Sequence, residues 1–103
     1  MASIIVEYSF DVPKSDEELA EMGKRFDSCL EIRNGTWVRS SLSADRKRMI
    51  CEFEAPDADS VREALRSARI SFERVWPAHV FAVENYPELF AKVQALRSKS
   101  TGS

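Results

Sequence analysis

The stretch that decides the fold is residues 36–56, TWVRSSLSADRKRMICEFEAP. Apolar and polar residues alternate on both sides of a polar, charged run, which is typical of two strands joined by a turn. The register of a tight hairpin sets Arg39 opposite Glu52 and Trp37 opposite Glu54, where unlike charges attract across the strands. We therefore predict a β-hairpin with one core face and one polar face.

The two faces of the hairpin follow from alternation alone. The predicted core face consists of Val38, Leu42, Met49, Cys51 and Phe53. The predicted opposite face consists of Trp37, Arg39, Ser41, Ile50, Glu52 and Glu54. The second set is too polar for a core, so it belongs either to a binding pocket or to an interface.

The segments around the hairpin alternate between strand and helix patterns. Period-two alternation predicts a first strand over residues 3–10 and a last strand over residues 74–83. Helical spacing of apolar residues predicts one helix after the capping box at Ser15, a second after Asp57, and a third over residues 85–98. Pro77 lies inside the last strand and indicates an edge position or a bulge, because proline cannot donate to a strand ladder.

This order predicts an α+β fold of the ferredoxin-like βαββαβ type, with an antiparallel sheet and a C-terminal helix. The predicted organisation is one domain over residues 1–84, the helix over 85–98 and a disordered tail over 99–103. The sheet face away from the helices would be too apolar to remain in water, so we expect a homodimer, a dimeric α+β barrel, that encloses it.

Composition limits the function. The chain has 103 residues and a net charge of −2, with 15 basic and 17 acidic residues. This balance argues against nucleic acid as a partner, since no basic excess exists to bind phosphates. Apolar stretches are too short for a membrane span, and no signal-peptide pattern opens the chain, so we expect a cytoplasmic protein that does not bind membranes. Cys29 and Cys51 are predicted to be unpaired thiols.

The hairpin and the helix after it resemble the bacterial family catalogued as domain of unknown function 4242. The matching residues are Trp37, Val38, Ser40, Ser43, Asp45, Cys51, Glu54, Ala55, Pro56, Val61 and Arg62. The resemblance implies a dimeric ferredoxin-like α+β barrel, and members of the family are often labelled nickel-responsive or nickel-binding. This chain departs from the family pattern in three places. Arg39 stands where histidine is usual, Tyr8 where arginine is usual, and residues 69–71 where Gly-Leu-Pro is usual.

The candidate site residues are predicted to meet on the sheet face away from the helices. Glu7 and His79 are the candidate catalytic residues, as a general base or acid. The candidate ligand-binding residues are Trp37, Arg39, Ser41, Glu52 and Glu54. We expect His79 to face the same interior, because Trp76 could then pack against the helices.

Three functional hypotheses follow. The first is a protein that binds a small organic ligand, such as an anion, in the barrel interior; its catalytic form would be a cofactor-free enzyme that uses proton transfer. The second, implied by the resemblance, is a nickel-binding or metal-responsive protein. The third is a structural dimer in which Arg39 and Glu52 only form an interface ion pair. We predict no metal site within one chain, since a guanidinium cannot ligate a metal ion and the chain has 1 histidine.

Overall fold

The computed structural model describes residues 1–101, with side chains described as far as residue 98. The elements are β1 Ala2–Ser9, α1 Asp16–Ile32, β2 Thr36–Leu42, β3 Arg48–Ala55, α2 Ala58–Ser67, β4 Arg74–Ala78 and α3 Pro87–Thr101. The predicted order is confirmed. All strand pairs are antiparallel, and the strands lie in the order β2-β3-β1-β4, which is the ferredoxin-like arrangement.

Local sequence places the starts of the first two helices. The Ser15 hydroxyl accepts a hydrogen bond from the Glu18 amide at 3.2 Å, and the Glu18 carboxylate accepts one from the Ser15 amide at 3.1 Å. This reciprocal capping box satisfies amides that have no partner within the helix. At the start of α2 the Asp57 carboxylate accepts from the Ser60 amide at 2.7 Å. Both caps were predicted and are confirmed.

The core lies between α1, α2 and one face of the sheet. Its members include Ile4 and Val6 from β1, Phe53 from β3, Leu30 from α1 and Leu65 from α2. Because side chains alternate along a strand, the neighbours of these strand residues point to the opposite face, which neither α1 nor α2 covers. We call it the outer face.

A β-bulge in β2 corrects one predicted position. Trp37 is opposite Phe53 and Arg39 is opposite Glu52, so Val38 is an extra residue on this strand. The extra residue reverses the alternation before it, and Trp37 lies on the same side as Phe53, toward the helices. The prediction that Trp37 faces Glu54 on the outer face was therefore wrong.

The last strand also differs from the prediction. β4 ends at Ala78 rather than continuing to residue 83, and Pro77 lies in an edge strand as predicted. Val75 is buried opposite Val6, so Trp76 points to the outer face. The prediction that Trp76 packs against the helices was therefore wrong. The same prediction placed the face of Val75 toward the dimer interior, and this was also wrong, since Val75 faces the helices.

The C-terminal helix α3 leaves its apolar side chains in water. Leu89, Phe90, Val93 and Leu96 are exposed. The helix runs into the segment predicted as a tail, and residues 102 and 103 of that tail lie outside the described residues. Within the described chain, no helix has both the length and the apolar composition needed to cross a bilayer.

One glycine in α1 supports a prediction about stability. Nothing lies within 4 Å of the position that a Cβ would occupy at Gly23, and its φ is not positive. Close packing therefore does not explain this glycine. Gly23→Ala should raise the free energy of unfolding by about 0.5–1 kcal/mol, because alanine loses less backbone freedom in a helix. Urea unfolding followed by circular dichroism measures this, and an unchanged or lower stability would contradict it.

Candidate functional site

The outer face is organised in rows that run across the sheet from β2 to β4. One row consists of Arg39, Glu52, Ile5 and Trp76. The adjacent row consists of Ser41, Ile50, Glu7 and Arg74. Charged and apolar side chains therefore share one surface.

Glu7 is held by a tryptophan of the neighbouring strand. The indole Nε1 of Trp76 donates a hydrogen bond to Glu7 Oε2 at 2.8 Å. Glu7 is half-buried, and Trp76 is 42% exposed. A neutral donor orients the carboxylate without neutralising its charge, and the second carboxylate oxygen remains available as an acceptor.

Arg39 and Glu52 form the predicted pair. Arg39 Nε lies 3.2 Å from Glu52 Oε1, and the exposed fractions of the two side chains are 65% and 14%. The carboxylate is thus the sheltered partner, and the guanidinium lies largely in solvent. Because one partner is well exposed, the pair contributes little to stability.

A cavity of about 440 Å³ opens beside Glu7. It is lined by Glu7, Tyr8, Ser41, Leu42, Ser43, Arg48, Met49 and Ile50. Among the described residues, the guanidinium groups of Arg48 and Arg74 have no hydrogen bond or ion pair. Arg74 therefore lies in the same row as Glu7, and Arg48 lies in the next row.

The structure separates two predicted site residues from Glu7. Glu54 and Ala78, the residue before His79, are both opposite Ser3. Ser3 and Glu7 are about 13 Å apart along β1, at about 3.3 Å per residue. His79 is exposed and lies beyond the end of β4, so one chain does not bring it together with Glu7. Ser41, Arg39 and Glu52 remain near Glu7, in its own row or the adjacent one.

A second, apolar depression lies on the other side of the sheet, where the bulge places Trp37. The indole Nε1 of Trp37 donates to Ser40 Oγ at 2.8 Å, and Ser40 Oγ donates to Cys51 Sγ at 2.9 Å. Tyr8 is 4% exposed and hydrogen-bonds with Cys51. Burial raises the pKa of the Tyr8 hydroxyl and of the Cys51 thiol, so both groups are protonated at neutral pH.

Sequence reasoning missed Trp76, Arg48 and Arg74 as outer-face residues. For Trp76 and Arg74 the missing information was the register between β1 and β4, since no turn connects these strands directly. Alternation alone allowed either Val75 or Trp76 to face the helices. The signal that could have decided between them is the polar indole N–H, which needs a partner and finds one in Glu7.

Potential metal ligands do not cluster among the residues that the structure describes. Across the part of the chain that the structure describes, no group of 3 or more histidine, cysteine, aspartate and glutamate side chains could hold a metal ion. Two carboxylates of the outer face are instead engaged, Glu7 by Trp76 and Glu52 by Arg39, whereas Glu54 is exposed and lies opposite Ser3.

Comparisons with known proteins give one family and one fold. The sequence profile of a family described as "Nickel responsive protein SCO4226-like" matches residues 5–77. The crystal structure of SCO4226 from Streptomyces coelicolor A3(2) superimposes with a TM-score of 0.71 at 12% identity, covering 79% of this chain and 100% of that chain. No curated protein matches the sequence. At this identity the structural similarity shows the fold alone.

Proposed function

We propose a function from one premise, that this chain belongs to the SCO4226-like family of nickel-responsive proteins. On this fold, we propose that two copies associate through their outer faces and bind a small organic anion in the enclosed interior beside Glu7. The ligand that fits has an anionic group for the arginines and a hydroxyl group for the Glu7 carboxylate. Such a protein would have the fold of the family and would bind an organic anion instead of nickel.

The observation that carries this proposal is the hydrogen bond from Trp76 to Glu7. It holds a carboxylate in a fixed direction in the middle of a face that also exposes apolar side chains. Orienting a charged group at such a position costs desolvation that stability alone does not require. A ligand hydroxyl that donates to the second oxygen of Glu7 would offset that cost.

The charges around Glu7 support an anionic ligand. Arg48 lines the cavity and Arg74 is opposite Glu7, and neither has an ion-pair partner among the described residues. Guanidinium groups bind carboxylates with paired hydrogen bonds, which gives orientation as well as attraction. An anion bound there would place its hydroxyl next to Glu7.

The same arrangement would allow proton transfer. Glu7 would take a proton from an acidic C–H or O–H bond of the ligand, and an arginine would stabilise the resulting oxyanion. The electron pair of the broken bond stays on the ligand, and the carboxylate becomes a carboxylic acid. Glu7 is therefore the residue on which any activity at this site depends.

The exposed apolar residues of the outer face support the dimer. Ile50, in the central strand β3, is 49% exposed, and Trp76, in the edge strand β4, is 42% exposed. A second copy related by two-fold symmetry would cover both residues at once, and this symmetry is the commonest in homo-oligomers. It would also close the cavity beside Glu7 from above.

Nickel is the second candidate, because the matched family is described as nickel-responsive. The residues of one chain do not fit a nickel site. Arg39 stands where the resembled family usually has histidine, and His79 is distant from Glu7 along the sheet. In a site built by two copies, Glu7 and Glu52 are already engaged by Trp76 and Arg39, which leaves Glu54 as the exposed carboxylate of the three.

Titration calorimetry on the untagged protein tests the proposal against nickel. We expect 3-hydroxybenzoate to bind more tightly than benzoate, which lacks the hydroxyl group. We expect Glu7→Gln to weaken 3-hydroxybenzoate binding about tenfold or more, since a hydrogen bond to a charged group is lost. Glu31→Gln, at an exposed position of α1, is the matched control and should change nothing.

Two outcomes would overturn the proposal. One is micromolar or tighter binding of nickel chloride together with no binding of either benzoate. The other is equal binding of both benzoates to the wild-type protein and to Glu7→Gln. The first result would favour a function that depends on nickel. The second would show that Glu7 does not contribute to the binding site.

A further inference from the structure

A groove of about 580 Å³ lies on the helix side of the sheet, between α1 and the hairpin of β2 and β3. Its walls are mostly apolar and include Leu19, Met22, Phe26, Leu42, Met49 and Phe53. This volume is within the range of sites that bind small molecules. The groove shares Tyr8, Leu42 and Met49 with the cavity beside Glu7, but Glu7, Ser41 and Arg48 are not among its walls.

Two local features of the chain open this groove. The bulge at Val38 places Trp37 at its edge, on the side of the helices. Gly23 lines it from α1, and no atom lies within 4 Å of where a Cβ would be. The helix therefore leaves open space above β2 instead of filling it with a side chain.

Polar atoms converge in the groove between its apolar walls. Ser40 accepts from Trp37 and donates to Cys51, which leaves one lone pair of the Ser40 hydroxyl oxygen unused. Cys51 and Tyr8 also line the groove, and each is 4% exposed. The Cys51 thiol keeps its own S–H as a donor. One acceptor and one donor are therefore available side by side.

We propose that this groove binds a flat, neutral, apolar molecule that has one hydroxyl group, such as a phenol. The hydroxyl donates to Ser40 Oγ and accepts from the Cys51 thiol, while the ring packs against the apolar walls. The rim supports a neutral ligand, because Lys24 and Asp27 place opposite charges there. Cys51 and Tyr8 at the floor of the groove also suit a neutral ligand, since the thiol and the tyrosine hydroxyl are both uncharged at neutral pH.

A different occupant would be helix α3 of a second copy, whose exposed apolar residues include Val93 and Leu96. These side chains would fill an apolar groove but would bring no hydroxyl group to Ser40 and Cys51. A phenol would contact both the apolar walls and the polar atoms, so the chemistry of the groove favours it. Occupation of the groove by α3 of a second copy is the alternative that the test below can detect.

The two tryptophans of the chain make the test specific to one side of the sheet. Trp37 lies at the groove and Trp76 on the outer face, so their indole N–H resonances in a nitrogen-15 NMR spectrum report the two sites separately. Titration with 2-naphthol should shift the Trp37 resonance and leave that of Trp76 unchanged. Naphthalene, which lacks the hydroxyl group, should bind about tenfold more weakly. Ser40→Ala should remove most of this difference.

Gly23→Leu is the blocking variant, because its side chain would extend into the groove from a position where leucine suits the helix. It should weaken 2-naphthol binding at least tenfold, whereas Ser28→Leu, on an exposed part of the same helix, should have no effect. Shifts of Trp76 alone, or equal affinity for the two probes, would overturn the proposal. So would tighter 2-naphthol binding in Val93→Asp together with a smaller particle in solution, since α3 would then be the occupant. If 2-naphthol does not bind in the groove, the prediction that 3-hydroxybenzoate binds beside Glu7 still stands.

Discussion

Gly35→Ala is expected to lower the free energy of unfolding by about 2 kcal/mol, although it adds a single methyl group. The new Cβ would lie 2.5 Å from Leu30 Cδ1 and 2.6 Å from Leu30 Cγ. Leu30 is 1% exposed and is packed inside the core, so it cannot move aside without disturbing its neighbours. The Gly35 amide also donates to the Leu30 carbonyl at 3.0 Å, which fixes the backbone at this distance.

A double-mutant cycle separates this contact from an effect of the backbone. Leu30→Ala alone should cost about 3 kcal/mol by leaving a cavity. Adding Gly35→Ala to Leu30→Ala should cost almost nothing, because the atoms that clash are gone. Urea unfolding of the four proteins gives the coupling energy. Simple addition of the two costs would show that the contact with Leu30 is not the cause.

Gly35 also shows how far sequence reasoning reached at helix ends. The pair Asn34-Gly35 is typical of a helix end, because both residue types tolerate a positive φ. The helix does end there, and Asn34 has a φ of 60°, but Gly35 has no positive φ. The reason for the glycine is the close approach of Leu30, a contact between side-chain and backbone atoms that no local pattern reveals.

The starts of the helices and the order of the elements were predictable because they depend on neighbouring residues. The Ser15 capping box and the Asp57 N-cap each act within one helical turn. The opposition of Arg39 and Glu52 also followed from counting residues away from a nearby turn. These features need no knowledge of the rest of the fold.

The faces of Trp37 and Trp76 were not predictable by counting. A bulge adds one residue to β2, and every position before it changes side. In β4 the phase depends on pairing with β1, which is distant in sequence. Both errors concerned the largest side chains of the candidate site, and correcting them exchanged the two tryptophans between the faces of the sheet. That exchange leaves one tryptophan at each of the two proposed sites, whereas the sequence suggested a single site.

The final prediction concerns the interface on which the enclosed interior depends. Ile50→Asp should raise the dissociation constant of the proposed homodimer by about a thousandfold or more, because it would bury a carboxylate directly opposite Glu7. The fold of one chain should be little affected, since Ile50 is 49% exposed there. Sedimentation equilibrium measures the change, and Ile32→Asp, at a position 79% exposed at the end of α1, is the control that should remain dimeric. A wild-type monomer would refute the proposed dimer. If Ile50→Asp remained dimeric while Val93→Asp dissociated, the copies would meet through α3, and the outer face would be an open surface instead of an enclosed one.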